Sequence, residues 1–248
     1  MKIAITVDLE SDLGMGSYYG LKIGLPKILE IFDKENIRGT FFITGNIIDK
    51  FPSLIKKLSK NHEIGMHGTY NHRRLNKYSQ KIKNDIIEIK EKIERITEKP
   101  ICGFRAPFLD IDVKLLKDLK NLGFKYDSSL GSYRARHNRI SKYVDEAFEF
   151  KVLFPNVFFR FPFGYYVFNF LYQLNPSEIM IFYLHPWEAM NMRSFLNKFH
   201  PELPFYKKIM RIDRWFNTGE IYIKRLHKFI MKLQKENVKI GPIRDFIL

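Results

Sequence analysis

A single cysteine, Cys102, among 248 residues excludes an intramolecular disulfide framework and any metal site built from cysteines, and it accords with a reducing compartment. Long apolar runs are missing as well. The most apolar region, Phe154 to Leu171, is broken by Pro155, Arg160, Pro162 and Gly164, so it falls short of the roughly 20 residues that a membrane-spanning helix needs. The opening MKIAITVDLE leaves five residues between Lys2 and Asp8, too few for the core of a secretory signal, so the expected location is cytoplasmic, with peripheral membrane contact left open. No Gly/Ser/Pro linker, repeat or low-complexity tract divides the chain. One domain over residues 1–248 is expected, a size that (β/α) barrels commonly reach.

Acidic residues are also in short supply. Against 42 Lys+Arg stand 27 Asp+Glu, a formal charge of +15, which suits an anionic partner: nucleic acid, an acidic membrane face or a phosphorylated substrate. Arg134, Arg136, Arg139, Lys142 and the 15% aromatic content support a binding module as one reading. No nucleic-acid-binding motif accompanies them, so no nucleic acid is expected. With 45% hydrophobic residues the chain can bury a sizeable core.

Strand-like and helix-like segments alternate, the pattern of a parallel sheet or barrel with helices outside. Lys2–Asp8, Arg38–Thr44, Glu63–His67, Ile101–Arg105, Phe124–Ser128, Glu178–His185 and Val238–Ile240 read as strands. Leu21–Glu35, Ile47–Ser59, Tyr78–Thr97, Val113–Leu122 and Glu220–Glu236 read as helices, the third through the apolar stripe Ile82, Ile86, Ile89, Ile93 and Ile96.

Most of the strands stop on a residue able to do chemistry: Asp8, His67, Arg105, Asp127 and His185. In a parallel barrel those ends converge on one mouth. Asp8 and Glu10 form a D-x-E pair. His67 and His72, five apart, with a carboxylate would give three metal ligands and leave a position open, as catalytic sites do. Arg105 could hold an acid ionised, and Asp127 could orient a histidine through its second ring nitrogen.

Together TVDLE, HGTYNH, FRAPF and YLHPWE resemble the motifs of the polysaccharide deacetylase family, the chitooligosaccharide-deacetylase-like carbohydrate esterases, in order and spacing over roughly residues 1–190. The resemblance implies a distorted (β/α) barrel of about seven parallel strands. It also implies a divalent metal, usually zinc, serving hydrolysis of an N-acetyl group on an amino sugar. By carry-over Asp8 is the general base, Glu10, His67 and His72 are the metal ligands, and His185 is the general acid. Arg105 would tether Asp8 and Asp127 would tether His185, with Pro107, Phe108, Trp187, Arg73 and Arg74 binding substrate. Two departures matter. Leu9 separates the acidic residues, leaving Asp12 as an alternative ligand. The histidines are more often four apart, which requires a bulged loop or another second ligand, His62 or Asn71. Because some relatives cleave amide-type bonds without metal, a metal-free amidase acting on a non-sugar C–N bond is the alternative.

The charge also favours a lipid- or nucleotide-linked sugar over a neutral polymer, with phosphate contacts from Arg73, Arg74, Arg134 or Arg136. Phe158–Leu171 and Phe195–Phe216 interleave aromatics with Lys and Arg, a composition suited to a membrane interface, although buried aromatics dominate core area and the first reading is the core of the last third of the barrel.

Overall fold

The computed structural model describes residues 1–134, 148–152, 155–173, 179–199 and 214–247. Its centre is β1 (Lys2–Leu9), apolar at alternate positions and buried beyond Lys2. Around it runs a parallel sheet in the order β5 (Tyr126–Asp127), β4 (Gly103–Arg105), β3 (Glu63–His67), β2 (Thr40–Ile43), β1, β6 (Ile179–Leu184). Strand β6 pairs with β1 from Lys2 to Val7. The other edge of β1 is shared: β2 takes Thr6 to Leu9, and the short β7 (Lys239–Ile240) takes Lys2 and Ile3.

The two ends of this sheet are joined by an irregular segment rather than a regular strand. Bridges Asp127↔Glu149, Gly131↔Val152 and Val152↔Ile181 carry the backbone from β5 across to β6 and close the distorted barrel. The expected fold is the one observed.

A strand's side chains alternate between its faces, and that alternation sorts the core into two bodies. Ile3, Ile5, Val7 and Leu9 of β1 pack outward with α1 (Leu25–Lys34) and the apolar stripe of α4 (Gln80–Thr97). Ala4, Phe42, Tyr126, Val152, Ile181 and Ile243 fill the inside. Gly103 makes room there, since a Cβ on it would lie 2.1 Å from the Tyr126 ring. The floor is polar but satisfied: buried Glu63 accepts from Thr40 Oγ1 at 2.7 Å, Tyr126 OH at 3.0 Å and the Arg244 amide at 3.2 Å.

Boundaries differ from expectation where local chemistry intervenes. The helix expected over Ile47–Ser59 is two, α2 (Gly45–Lys50) and α3 (Pro52–Leu58), because Pro52 cannot donate to the preceding turn and starts a helix of its own. Helix α4 begins at Gln80 because the Ser79 side chain accepts from the Ile82 amide and caps it. Helix α5 (Val113–Asn121) is capped likewise by Asp112.

Candidate active site

The inward parity of each strand continues to its C-terminal end. On β1 it runs through Ala4 and Thr6 to Asp8 and, one step beyond the strand, Glu10. The intervening Leu9 therefore belongs to the outer core, and the D-x-E spacing is what brings two carboxylates to one face. On β6 it runs through Ile181 and Tyr183 to His185. His67 and Arg105 end β3 and β4 side by side in register.

Arg105 is completely buried and placed by four hydrogen bonds. Its NH1 donates to Asp8 Oδ1 at 2.7 Å and to Thr6 Oγ1 at 2.8 Å. Its Nε and NH2 donate to the carbonyl and hydroxyl of Ser128 at 3.1 and 2.9 Å. The guanidinium lies 4.2 Å from the centroid of the Phe42 ring, so the charge rests on an aromatic face. Asp8 is thereby oriented through one oxygen and lines the cavity.

Glu10, His67 and His72 offer a carboxylate oxygen and two imidazole nitrogens that lie within 4.8 Å of one another. His67 Nδ1 stands 2.9 Å from the Arg105 carbonyl, which fixes that nitrogen as the donor and turns Nε2 to the cavity. Gly68, at φ +71°, lets the following loop pass beneath Pro107, where a Cβ would sit 2.5 Å from the proline ring. The loop then brings His72 back with its ring 4.3 Å from Phe108 and its Nε2 against Glu10 Oε2. The five-residue spacing is thus met by a looped return. Glu10 Oε2 is buried, lies 3.5 Å from His67 Nε2, and makes no aligned hydrogen bond among the described residues. Three donors converging on one point, with Glu10 Oε2 left without an aligned hydrogen bond, form a donor set that fits a divalent ion. Burial pushes the Glu10 carboxyl up, but His67, His72 and the charge of His185 outweigh it and hold the group well below the usual carboxylate range.

The alternative ligands lie elsewhere. Asp12 is occupied by the amides of Tyr19 and Gly20 and by Ser17 Oγ, at 2.6, 2.8 and 2.9 Å, and organises the loop after β1. His62 sits at the opposite end of β3 among Phe32 and Phe41. Asn71 is exposed.

His185 Nε2 faces Glu10 Oε1 at 3.8 Å across the mouth. Its Nδ1 side meets Glu188 Oε2 at 3.8 Å and Asn156 Nδ2 at 3.2 Å, while its own amide donates to Glu188 Oε2 at 2.8 Å. Glu188 is anchored in turn by buried Arg160, whose Nε donates to Oε1 at 2.6 Å. Burial opposes protonation of His185, but Glu188, Glu10 and Asp8 outweigh it and lift its pKa above the ordinary imidazole value.

The expectation that Asp127 orients His185 is corrected here. Tyr126 takes the inward position on β5, so Asp127 points the other way, accepting from the Ser129 amide and hydroxyl at 2.8 and 2.7 Å and facing Glu149. Burial, followed by the charge of Asp127, pushes the Glu149 carboxyl well up, so between the ordinary and the raised value it keeps its proton longer in the folded chain than in the unfolded one. The folded chain then binds more protons than the unfolded one, and the pair's contribution to stability falls as pH rises from the ordinary carboxylate range through the raised value. Glu149→Gln, which keeps the Leu130 amide contact and supplies a permanent donor, is expected to melt above the parent at alkaline pH, the gap closing on acidification. A gap that is constant or widens toward acid pH in thermal melts would contradict the raised Glu149 carboxyl.

Above these groups opens a cavity of about 590 Å³ whose wall includes Phe108, Arg74, Arg134, Tyr133, Asn156 and Arg214. Of the residues expected to bind substrate, Phe108 and Arg74 line it. Arg73 pairs with Asp85 at 3.4 Å outside it. Arg136 lies outside the described residues, as do Arg139 and Lys142. Pro107 and Trp187 are buried behind the wall: Pro107 roofs Gly68, and Trp187 stacks on His185 at 5.4 Å with Arg160 and Arg214 over its ring.

The family model described as polysaccharide deacetylase matches residues 2–126. A peptidoglycan deacetylase of Helicobacter pylori is 30% identical over 138 residues, 55% of this chain and 45% of that protein. A peptidoglycan-N-acetylmuramic acid deacetylase of Bacillus subtilis is 31% identical over 102 residues, 40% of this chain and 39% of the relative. The matched region thus spans less than half the length of either. A putative polysaccharide deacetylase from Mycobacterium smegmatis superposes over 97% of this chain and 92% of its own with a TM-score of 0.60 at 18% identity, which shows the shared fold.

Proposed function

The chain belongs to the polysaccharide deacetylase family, and from that premise we propose that it hydrolyses the N-acetyl group of an amino sugar, with a divalent ion, zinc by the donor types, held by Glu10, His67 and His72. The observation that carries the proposal is the convergence of this donor set with Asp8 and His185 on one cavity. A bound ion supplies Lewis-acid polarisation of the amide carbonyl and a more acidic water. The protein's own groups do the rest. Asp8, held through Oδ1 by Arg105, keeps its other oxygen to take a proton from the attacking water. As the C–N bond breaks, the leaving amine needs a proton, which His185 donates from Nε2 while Glu188 and Asn156 hold the opposite side of its ring. Acetate departs with the oxygen of water and the sugar keeps a free amine.

The same reading extends to a sugar carried on phosphate. Arg74, Arg134 and Arg214 border the cavity, and guanidinium groups match phosphate through paired donors. The test measures metal content of the purified protein and amine release from two substrates, a neutral N-acetylglucosamine oligomer and a phosphate-linked N-acetyl sugar, at low and high salt. The expected result is one ion per chain, activity lost to chelation and restored by metal, and a preference for the charged substrate on the order of tenfold that shrinks with salt. Equal, salt-indifferent rates would remove the phosphate reading alone. Failure to release amine from either substrate with metal bound would remove the deacetylase reading, and the same failure in a protein that binds no ion would favour a metal-free amidase acting on a non-sugar C–N bond.

A further inference from the structure

The helix Gly164–Gln173 carries no charged residue in GYYVFNFLYQ, and its polar positions are Asn169 and Gln173. One side is accounted for: Tyr165, Phe168 and Tyr172 are buried, packing on Phe159, Phe182 and Phe229. The other side is in solvent. Phe163 is 78% exposed, Tyr166 69%, Phe170 59% and Val167 43%, a row at i, i+3, i+4 and i+7. A helix apolar on both faces at a protein surface has a second apolar phase to meet. Phe163 also holds φ +61°, a left-handed conformation costly for a bulky side chain, at the tip of this row.

Beside the row lies a basic one. The helix Glu220–Lys235 presents Arg225, Lys228 and Lys232 at i, i+3 and i+7, and the first and last reach the aromatic helix or the turn leading into it. Arg225 donates to the carbonyls of Phe159 and Arg160 at 2.9 and 3.0 Å, and Lys232 Nζ donates to Asn169 Oδ1 at 3.1 Å. Lys228, between them, is exposed. No helix among the described residues is long and apolar enough to cross a membrane, and ten residues span only about 15 Å.

We propose that this paired aromatic and basic face docks on an anionic lipid surface, with the helix lying in the plane of the headgroups. Aromatic side chains enter the acyl boundary while the Lys and Arg row meets the lipid phosphates, the arrangement of interfacial amphipathic helices. The consequence for the site follows from the chain itself: Phe161, two residues before Phe163, lines the catalytic cavity, so docking sets the mouth beside the membrane. Docking does not rest on the deacetylase reading, because the binding assay involves no hydrolysis.

The experiment is vesicle flotation of the full chain with phosphatidylcholine alone and with phosphatidylcholine mixed with phosphatidylglycerol. The wild type is expected to float with the mixed vesicles and to be released in part by salt. Phe163→Ser/Tyr166→Ser/Phe170→Ser should lower that partition at least tenfold while keeping the parent's circular dichroism and its turnover of a soluble substrate. Lys228→Glu, at an exposed position, should lower it about fivefold without affecting folding. Wild type that floats with neither vesicle, or equally with both, overturns the proposal, and so does flotation unchanged by the aromatic substitutions. A wild-type dimer that those substitutions dissociate, with no vesicle binding, would assign the face to a second copy of the chain instead.

Discussion

Asp8→Asn is expected to keep the divalent ion and to lose turnover by about 10²–10⁴-fold, the range that removal of a positioned base costs. The ion stays because Asp8 is not among the converging donors, which are Glu10, His67 and His72. Turnover falls because the amide is isosteric but cannot take a proton from water. A second effect accompanies the first: the neutral amide leaves the buried Arg105 guanidinium without its counter-charge, although Thr6 and Ser128 still accept from it. Losing one partner of a buried pair costs about 3–5 kcal/mol, so the variant should also melt well below the parent. Metal analysis, amine release and a thermal melt on the same preparation separate these effects. Loss of the ion in Asp8→Asn would make Asp8 a ligand, and turnover within a few-fold of the parent would move the base elsewhere. His67→Ala/His72→Ala should behave in the opposite sense, losing the ion while the Arg105–Asp8 pair stays intact.

The groups legible in the sequence are those fixed by the strand period. Asp8, His67, Arg105 and His185 each follow a short apolar run, and parallel packing brings the ends of such runs to one mouth. Asp127 misses the mouth by one residue of parity, since the same rule that turns Asp8 and Glu10 inward gives the inward position on β5 to Tyr126. Glu188 does leave a local trace: H-P-W-E carries an acid three residues after the position that caps the turn Pro186–Ala189, the spacing of a capping box. Asn156 and Arg160 leave none, because they come from the short helix Val157–Arg160 and the residue just before it, between β5 and β6, whose contacts depend on how the barrel closes. Composition does not divide the aromatic stretch either. Phe159, Tyr165, Phe168 and Tyr172 are core while Phe163, Tyr166 and Phe170 are surface, and periodicity in a helix apolar on both faces does not say which side turns inward.

Glu188→Gln should damage both stability and turnover, although Glu188 is neither a proposed ligand nor the proposed base. Burial would push the Glu188 carboxyl up, but the Arg160 guanidinium and His185 outweigh it and keep it ionised below the usual carboxylate range. An amide in its place takes from buried Arg160 the carboxylate to which its Nε donates, a loss of about 3–5 kcal/mol when one partner of a buried pair goes, and removes the anion behind the proton donor. Turnover is expected to fall by about 10²-fold or more, the lower end of what a positioned acid contributes. A purely structural role would show the same drop through misfolding, so the decisive protein is the double variant Arg160→Met/Glu188→Gln. Replacing both members of a buried pair is often neutral for stability, and the double variant is therefore expected to recover most of the lost melting temperature. Its turnover should stay low, because the His185 ring still lacks its carboxylate partner. Recovery of activity along with stability would show that Glu188 serves only to neutralise Arg160, and that Asn156, 3.2 Å from Nδ1, is enough to hold the imidazole.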